Sequence, residues 1–478
     1  GVTRVRQGIH PQGFCWHLGT GEAFQTPESL LFFSDEGLNG LSQEIHTLLR
    51  TRVARGYWRD RERPILLNSW EATTFDFDEE KILAFAKTAK DCGIELLVLD
   101  DGWFGRRNDD TTSLGDWFDD LCKLPDGLAG LSAKIHKLGL MFGLWIEPEM
   151  ISVDSDLYRA HPDWCIHVPG YPRIEYRNQL VLDLSRDEVR DYIVEVIIAA
   201  LKRGNVDYVK WDMNRFINMW GSAALPADRQ QELGHRYILG VSDMMRRITG
   251  AFPNVLFESC AGGGGRFDLG MMCFMPQAWC TDNTDAWMRC KIQHSTSLVF
   301  PPSTMGAHVS AVPNHQTGRS APLDTRAAVA MSGTYGYELD LTQLPQEEID
   351  QIRTVRWISG AEEEVEDAVD ECAESLVLQV SGYQEVDFGE IVQEYARMYP
   401  ERVMEIPEVE VAIYPDRGDT RVVELLFVYR TDRATLRSMR EEVQPVFSSA
   451  ALYVSGQSSD RTKYSQLHTF LTERFDYQ

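Results

Sequence analysis

No C-x-x-C pair occurs among the nine cysteines, which lie scattered at positions 15, 92, 122, 165, 260, 273, 280, 290 and 372. That excludes a regular disulfide framework and fits free thiols in a reducing compartment. Apolar runs of about 18 residues, long enough to span a bilayer, are missing, and so is a signal-peptide pattern. A cytoplasmic protein is the expectation. Basic residues are scarce, 47 Lys plus Arg against 73 Asp plus Glu, for a net charge of -26. Such a balance argues against nucleic acid or an anionic membrane as partner and favours a neutral or cationic ligand. Neither a phosphate loop ending in Gly-Lys-Ser/Thr nor G-x-G-x-x-G with a ribose-binding acid is present, so no nucleotide is expected. With 43% hydrophobic residues, 36 Gly and 20 Pro in 478, the composition excludes collagen and low-complexity disorder.

Short apolar strands alternating with amphipathic helices fill residues 63 to about 310. The candidate strands are ILLNS (65–69), IELLVLD (94–100), LMFGLWI (140–146), LVLDL (180–184), VDYVKWD (206–212), NVLFES (254–259), PQAWCT (276–281) and STMGAH (303–308). Helices are expected at 79–90, 127–138, 186–203, with Ser185 as a cap, and 229–249. Eight strands with crossover helices predict an α/β fold, a (β/α)₈ barrel over 63–355. Residues 1–62 read as a partial β-rich segment, the remnant of an N-terminal β-sandwich, with a linking helix near 41–54. Beyond 355 the pattern changes. Residues 361–410 hold 16 acids against 2 bases, and alternating β segments with helices follow. This predicts an acidic linker and a small α+β segment over 356–478, to which the residues assign no role.

Functional-looking residues gather where barrel enzymes place their chemistry, at strand C-terminal ends. They are Trp70, Asp100, Asp101, Trp145, Glu147, Asp183, Asp212, Ser259, Cys260, Asp282 and His308. A mouth rich in carboxylates and Trp suits a neutral polyol, because aromatic faces pack on sugar C–H faces while Asp and Glu accept from hydroxyls. Hydrolysing a glycosidic bond takes one charged and one protonated carboxyl. Asp212, two residues after Lys210 on the same strand face, fits the charged member. Asp282 fits the protonated member, with Asp285 read as the cap of the following helix. The adjacent pair Asp100–Asp101 must be compensated by Lys210, a metal or ligand hydroxyls; hydroxyls are favoured, since no calcium loop is present. The four glycines 262–265 are read as letting backbone approach a ligand. Cys260 is read as a small pocket-lining residue, and His308 and His315 as packed or pocket-lining histidines without zinc spacing.

The motifs NSWEATTFDF, LVLDDGWFG, GLWIEPEMIS, HPDW, RNQLVLDLS, VKWDMNR, ESCAGGGGRFD, CTDNTDA and GTYGYELDL resemble those of the α-galactosidases of glycoside hydrolase family 36, from about residue 2 to 352. The resemblance implies a retaining exo-α-galactosidase acting on melibiose- and raffinose-type oligosaccharides, with no metal and no organic cofactor. It implies Asp212 as nucleophile and Asp282 as acid/base. Asp100 and Asp101 would bind the galactose 4- and 6-hydroxyls and Lys210 the 3- and 4-hydroxyls. Trp70 and Trp145 would wall the pocket, Arg177 and Asn214 would add polar contacts, and Cys260 and Gly262 would lie near the 2-position. Bacterial members form tetramers in which a loop of the N-terminal domain closes a neighbour's site. With that domain expected to be truncated here, a homo-oligomer is not the favoured state.

The C-terminal antiparallel domain of the family is also not matched after GYELDL; part of 422–456 is instead faintly similar to regions of bacterial proteins bearing transglutaminase-like domains, without a Cys/His/Asp core. These departures leave a second reading beside the enzyme, a catalytically silent carbohydrate-binding or interaction protein. A minor third reading keeps the chemistry but transfers galactose to a sugar acceptor.

Overall fold

The computed structural model describes residues 4–381, 387–414 and 420–454. The chain divides into two compact units, Gly1–Gln343 and Leu344–Gln478. The first is a closed barrel of eight parallel strands: β1 (Leu66–Asn68), β2 (Leu96–Leu99), β3 (Met141–Ile146), β4 (Tyr208–Trp211), β5 (Leu256–Ser259), β6 (Gln277–Trp279), β7 (Met305–Ser310) and β8 (Thr334–Glu338). Each strand pairs with its neighbour in sequence, and β8 closes on β1 through Leu66 opposite Gly336.

Burial on both faces explains why β2 reads as an unbroken apolar run, Leu96 to Leu99, all four buried. Inside the barrel Leu66, Leu96, Val98, Tyr208 and Leu256 pack as one cluster. The helix Asp187–Gly204 shows how the outer layer is specified. Val189, Ile193, Ile197, Ala200 and Leu201 form its buried stripe. Acids at Asp187 and Glu188 open it, Lys202 and Arg203 close it in accord with the helix dipole, and left-handed Asn205 terminates it. Ile193 is fully buried, which contributes about 2 kcal/mol.

Two strand expectations needed correction. Residues 180–184 do not enter the barrel. Leu180–Val181 pairs antiparallel with Met150–Ile151, forming a small ribbon in the long connection after β3. Four apolar residues in five record burial, and a buried ribbon satisfies them as well as a barrel strand does. The eighth strand is instead Thr334–Glu338, whose sequence TYGYE carries two tyrosines, a glycine and an acid rather than an apolar run. Gly336 is required there, because a Cβ would sit 2.8 Å from the His308 ring and 3.0 Å from Leu66. His308 accordingly lies within β7 rather than ending it.

Three further expectations change. Residues 4–65 contain no strand among the described residues; they run irregularly into a helix, Gly37–Leu48, that ends in a π turn at Leu49–Val53. Extended segments become strands only where a partner takes their backbone groups. Ser185 does not cap the helix after it; Arg186 holds the cap position without a side-chain bond, and the Ser185 hydroxyl donates to Asp183 at 2.5 Å. The helix Gln346–Asp370 also runs through the boundary expected at 355, because a step in charge marks composition rather than a break in the chain.

The second unit is α+β. Its antiparallel sheet has β9 (Ser375–Ser381) and β10 (Glu408–Tyr414) on either side of β11 (Thr420–Val428). Val365, Val369, Leu378, Phe388, Val392, Val423, Leu425 and Phe427 make its core. Among the described residues no helix is long and apolar enough to cross a membrane.

Candidate active site

A cavity of about 280 Å³ opens at the C-terminal ends of the barrel strands. It is lined by Trp70, Asp100, Asp101, Trp145, Arg177, Lys210, Asp212, Asn214, Cys260 and Asp282. Of the residues given catalytic or sugar-binding roles by the family resemblance, all are at the cavity wall except Gly262, while Asp183, Ser259 and His308, also singled out at strand ends, lie outside the lining. The Gly262 backbone N–H reaches Asp212 Oδ1 at 3.4 Å.

Asp212 follows β4 and accepts from four donors. Trp145 Nε1 (3.1 Å) and Asn214 Nδ2 (2.7 Å) reach Oδ2, while the Met213 amide (2.8 Å) and that of Gly262 reach Oδ1. This donor set solvates a carboxylate, which accepts only. Trp145 is itself held, since Trp103 Nε1 donates to its carbonyl at 2.9 Å.

Asp282 lies just past β6 and takes one side-chain bond, from Trp279 Nε1 to Oδ1 at 3.1 Å. Burial pushes its carboxyl up and the charge of Asp212 adds to this, against the opposing pull of Lys210. Asp285 is the cap of Ala286–Ser297, as expected, accepting from the Trp287 amide at 2.9 Å, and its second oxygen accepts from Thr317 and pairs with Arg319.

The charges of the acids at 100 and 101 are compensated by protein cations, while both side chains still line the cavity. Lys210 Nζ sits 3.0 Å from Asp100 Oδ2, and Asn68 donates to the same oxygen at 2.7 Å. Burial works against the Lys210 charge, yet Asp100 and other nearby acids raise its affinity for the proton well above the ordinary value. Arg107 grips Asp101 with two parallel bonds of 2.6 and 2.8 Å. Both partners are buried. Arg107 was not anticipated, although two adjacent acids followed closely by a pair of arginines was the available signal. Replacing Arg107 with Met leaves a buried, unpaired carboxylate, and such a loss costs about 3–5 kcal/mol. A fall of that size in the unfolding free energy of Arg107→Met, read from denaturant titrations, with part restored by adding Asp101→Asn, is the expected result.

Glycines 263 and 264 serve backbone against backbone rather than against a ligand. A Cβ on Gly263, whose φ is +86°, would lie 2.7 Å from the Asp282 amide, so this loop packs directly beneath Asp282. Cys260 is buried in the wall, and burial, followed by the charge of Asp212, pushes its thiol well up, which leaves it a poor nucleophile. His308 is buried and bonds Glu338 at 3.0 Å, while His315 lines the cavity. Asp183 lies outside the cavity lining and accepts from Ser185 and Ser222. Glu71, Phe75, Arg107, Asp110, Glu147, Gln179, Trp279, Thr284 and Gln316 complete the wall. Among the described residues no group of three His, Cys, Asp or Glu is arranged to hold a metal ion.

Fold and site together define a carbohydrate-type (β/α)₈ barrel, its cavity walled by tryptophan and floored by paired carboxylates. The melibiase family matches residues 23–369. α-Galactosidase AgaA of Geobacillus stearothermophilus is 62% identical over 348 residues, 73% of this chain and 48% of that protein. Mel36A of Lactobacillus acidophilus is 51% identical over 352 residues, 74% of this chain and 48% of that α-galactosidase. The crystal structure of AgaA superposes with a TM-score of 0.73 at 57% identity, covering 78% of this chain and 51% of AgaA. Variants of AgaA have been solved in complex with raffinose and with stachyose. This chain belongs to the melibiase family, glycoside hydrolase family 36. It spans about half the length of the curated relatives it matches.

Proposed function

We propose that this chain is a retaining exo-α-galactosidase that removes terminal α-linked galactose from melibiose- and raffinose-type oligosaccharides. One observation carries the reading. Two carboxyl groups face one sugar-sized cavity in opposite environments, Asp212 among four hydrogen-bond donors and Asp282 held towards its protonated form by burial. Asp212 attacks the anomeric carbon while Asp282 protonates the leaving oxygen; Asp282 then takes a proton from the water that releases galactose. Asp100 and Asp101 accept from galactose hydroxyls, with Lys210 beside them. Trp70 and Trp145 wall the sugar, Arg177 and Asn214 add polar contacts, and Cys260 and Gly262 lie towards its 2-position. The raffinose and stachyose complexes of AgaA support the substrate class. Nine unpaired thiols support a reducing compartment.

The test is turnover of p-nitrophenyl α-D-galactoside by the full chain, with the first-formed anomer of the released sugar read by proton NMR. α-Galactose appearing first is expected. β-Galactose appearing first would overturn retention. Galactose binding by a folded chain without turnover would support the silent-binding reading instead.

A further inference from the structure

Glu147 is buried in the cavity wall, and the roles proposed above leave it unused. It directly follows β3, and the Asp212 amide donates to the carbonyl of Ile146 at 2.8 Å. The register of β3 on β4, with Ile146 opposite Trp211, therefore sets Glu147 beside Asp212. Its Oε1 accepts two bonds, one from Gln179 Nε2 at 2.9 Å and a short one from the Asn214 amide. Oε2 has no hydrogen-bond partner among the described residues. Asn214 in turn extends its side-chain amide to Asp212 Oδ2 at 2.7 Å. Glu147 thus holds the backbone of the residue whose side chain holds the proposed nucleophile, and no other side chain among the described residues bonds that amide.

We infer that Glu147 is a positioning residue, which through the Asn214 amide fixes Asn214 against Asp212 and so sets the orientation of the attacking carboxylate. The inference rests on the proposed role of Asp212. Its chemistry asks for an acceptor of the right length at Oε1 and does not ask for a negative charge. Burial and then the charge of Asp212 push the Glu147 carboxyl up to about 8, while the Asn214 and Gln179 bonds and Arg107 pull the other way. At neutral pH the side chain is therefore chiefly the neutral acid, and a carboxamide is its close mimic. A second carboxylate charge beside Asp212 would instead crowd it electrostatically.

Three substitutions separate length from charge. Glu147→Ala removes the acceptor and is expected to lower kcat about 100-fold with KM changed less than about threefold, the pattern of an interaction made in the transition state. Glu147→Asp keeps a carboxyl group but retracts the oxygen from the Asn214 amide, and is expected to be nearly as slow. Glu147→Gln keeps the acceptor and the length, and is expected to recover at least about tenfold of the alanine loss. Asn214→Ala added to Glu147→Ala should cost no more than the worse single change, since both break one chain of contacts. Thermal melts of each variant identify any that fail to fold; if Glu147→Ala does, the order of the Gln and Asp variants carries the test. Glu147→Asp outperforming Glu147→Gln, or additive losses with Asn214→Ala, would overturn the inference. Glu147→Ala at wild-type kcat beside an inactive Asp212→Ala overturns it alone. A wild-type chain without turnover overturns it together with the proposed function.

Discussion

Asp212→Ala is expected to lose turnover of p-nitrophenyl α-D-galactoside by roughly 10⁴-fold or more, the scale seen when a covalent nucleophile is removed. The expectation follows from what the substitution leaves behind. Trp145 Nε1, Asn214 Nδ2 and the amides of Met213 and Gly262 all converge on this one carboxylate. Without it the cavity keeps its donors and its tryptophan walls but has no group to trap the oxocarbenium-like carbon. Galactose affinity is expected to change far less than turnover, because Asp100, Asp101 and Lys210 remain paired as before. Isothermal titration with galactose beside the rate assay separates the two effects. Azide supplied to Asp212→Gly or Asp212→Ala should restore part of the rate and give the β-galactosyl azide, since the small anion enters from the face the carboxylate occupied. A variant that keeps more than about one tenth of wild-type turnover would remove Asp212 from the nucleophile role.

Much of this site was legible in the sequence because barrel chemistry sits where apolar strands end. Asp212 after YVKW and Asp282 after QAWCT needed only that rule and the local order of residues. Asp285 was legible as a cap because the helix AWMRCKIQ begins directly after it. What stayed hidden depends on contacts distant in sequence. The partner of Asp101 is a guanidinium six residues on, but that it folds back to pair bidentately is a property of the loop. Glu147 stood out at a strand end, yet its link to Asn214 exists only once β3 and β4 lie side by side. The closing strand was missed for a related reason. Tyr335, Gly336 and Tyr337 become a strand because β7 and β1 flank them, whereas Leu180–Leu184 looked more like a strand and went to a ribbon. Barrel closure is a constraint on the whole sheet, and a local pattern does not carry it.

Asp282→Ala is expected to show a selective loss that no merely structural change would mimic. An acid lends its proton to the leaving oxygen, so its value grows with the basicity of the leaving group. p-Nitrophenolate leaves without much help, whereas the sugar alkoxide expelled from melbiose-type linkages needs a full proton. Against raffinose, turnover should therefore fall by roughly 10³-fold or more, within the upper range for lost general acid catalysis. With p-nitrophenyl α-D-galactoside the first step should be much less affected, and slow release of the galactosyl-enzyme should appear as a burst of p-nitrophenol and a lowered KM. The pH profile adds an independent check. Burial and the Asp212 charge hold the Asp282 proton above its ordinary range, so the wild-type rate declines on the alkaline side as that proton is lost. This limb should vanish from the kcat/KM profile of Asp282→Ala. Azide should speed the variant by attacking the galactosyl-enzyme without base assistance, yielding the α-galactosyl azide, the opposite anomer to that expected from Asp212→Ala. Equal losses on both substrates, with the alkaline limb intact, would assign the proton to another group; Glu71, in the same cavity wall and pushed up to about 7 by burial and then Glu338, would be the residue to replace next.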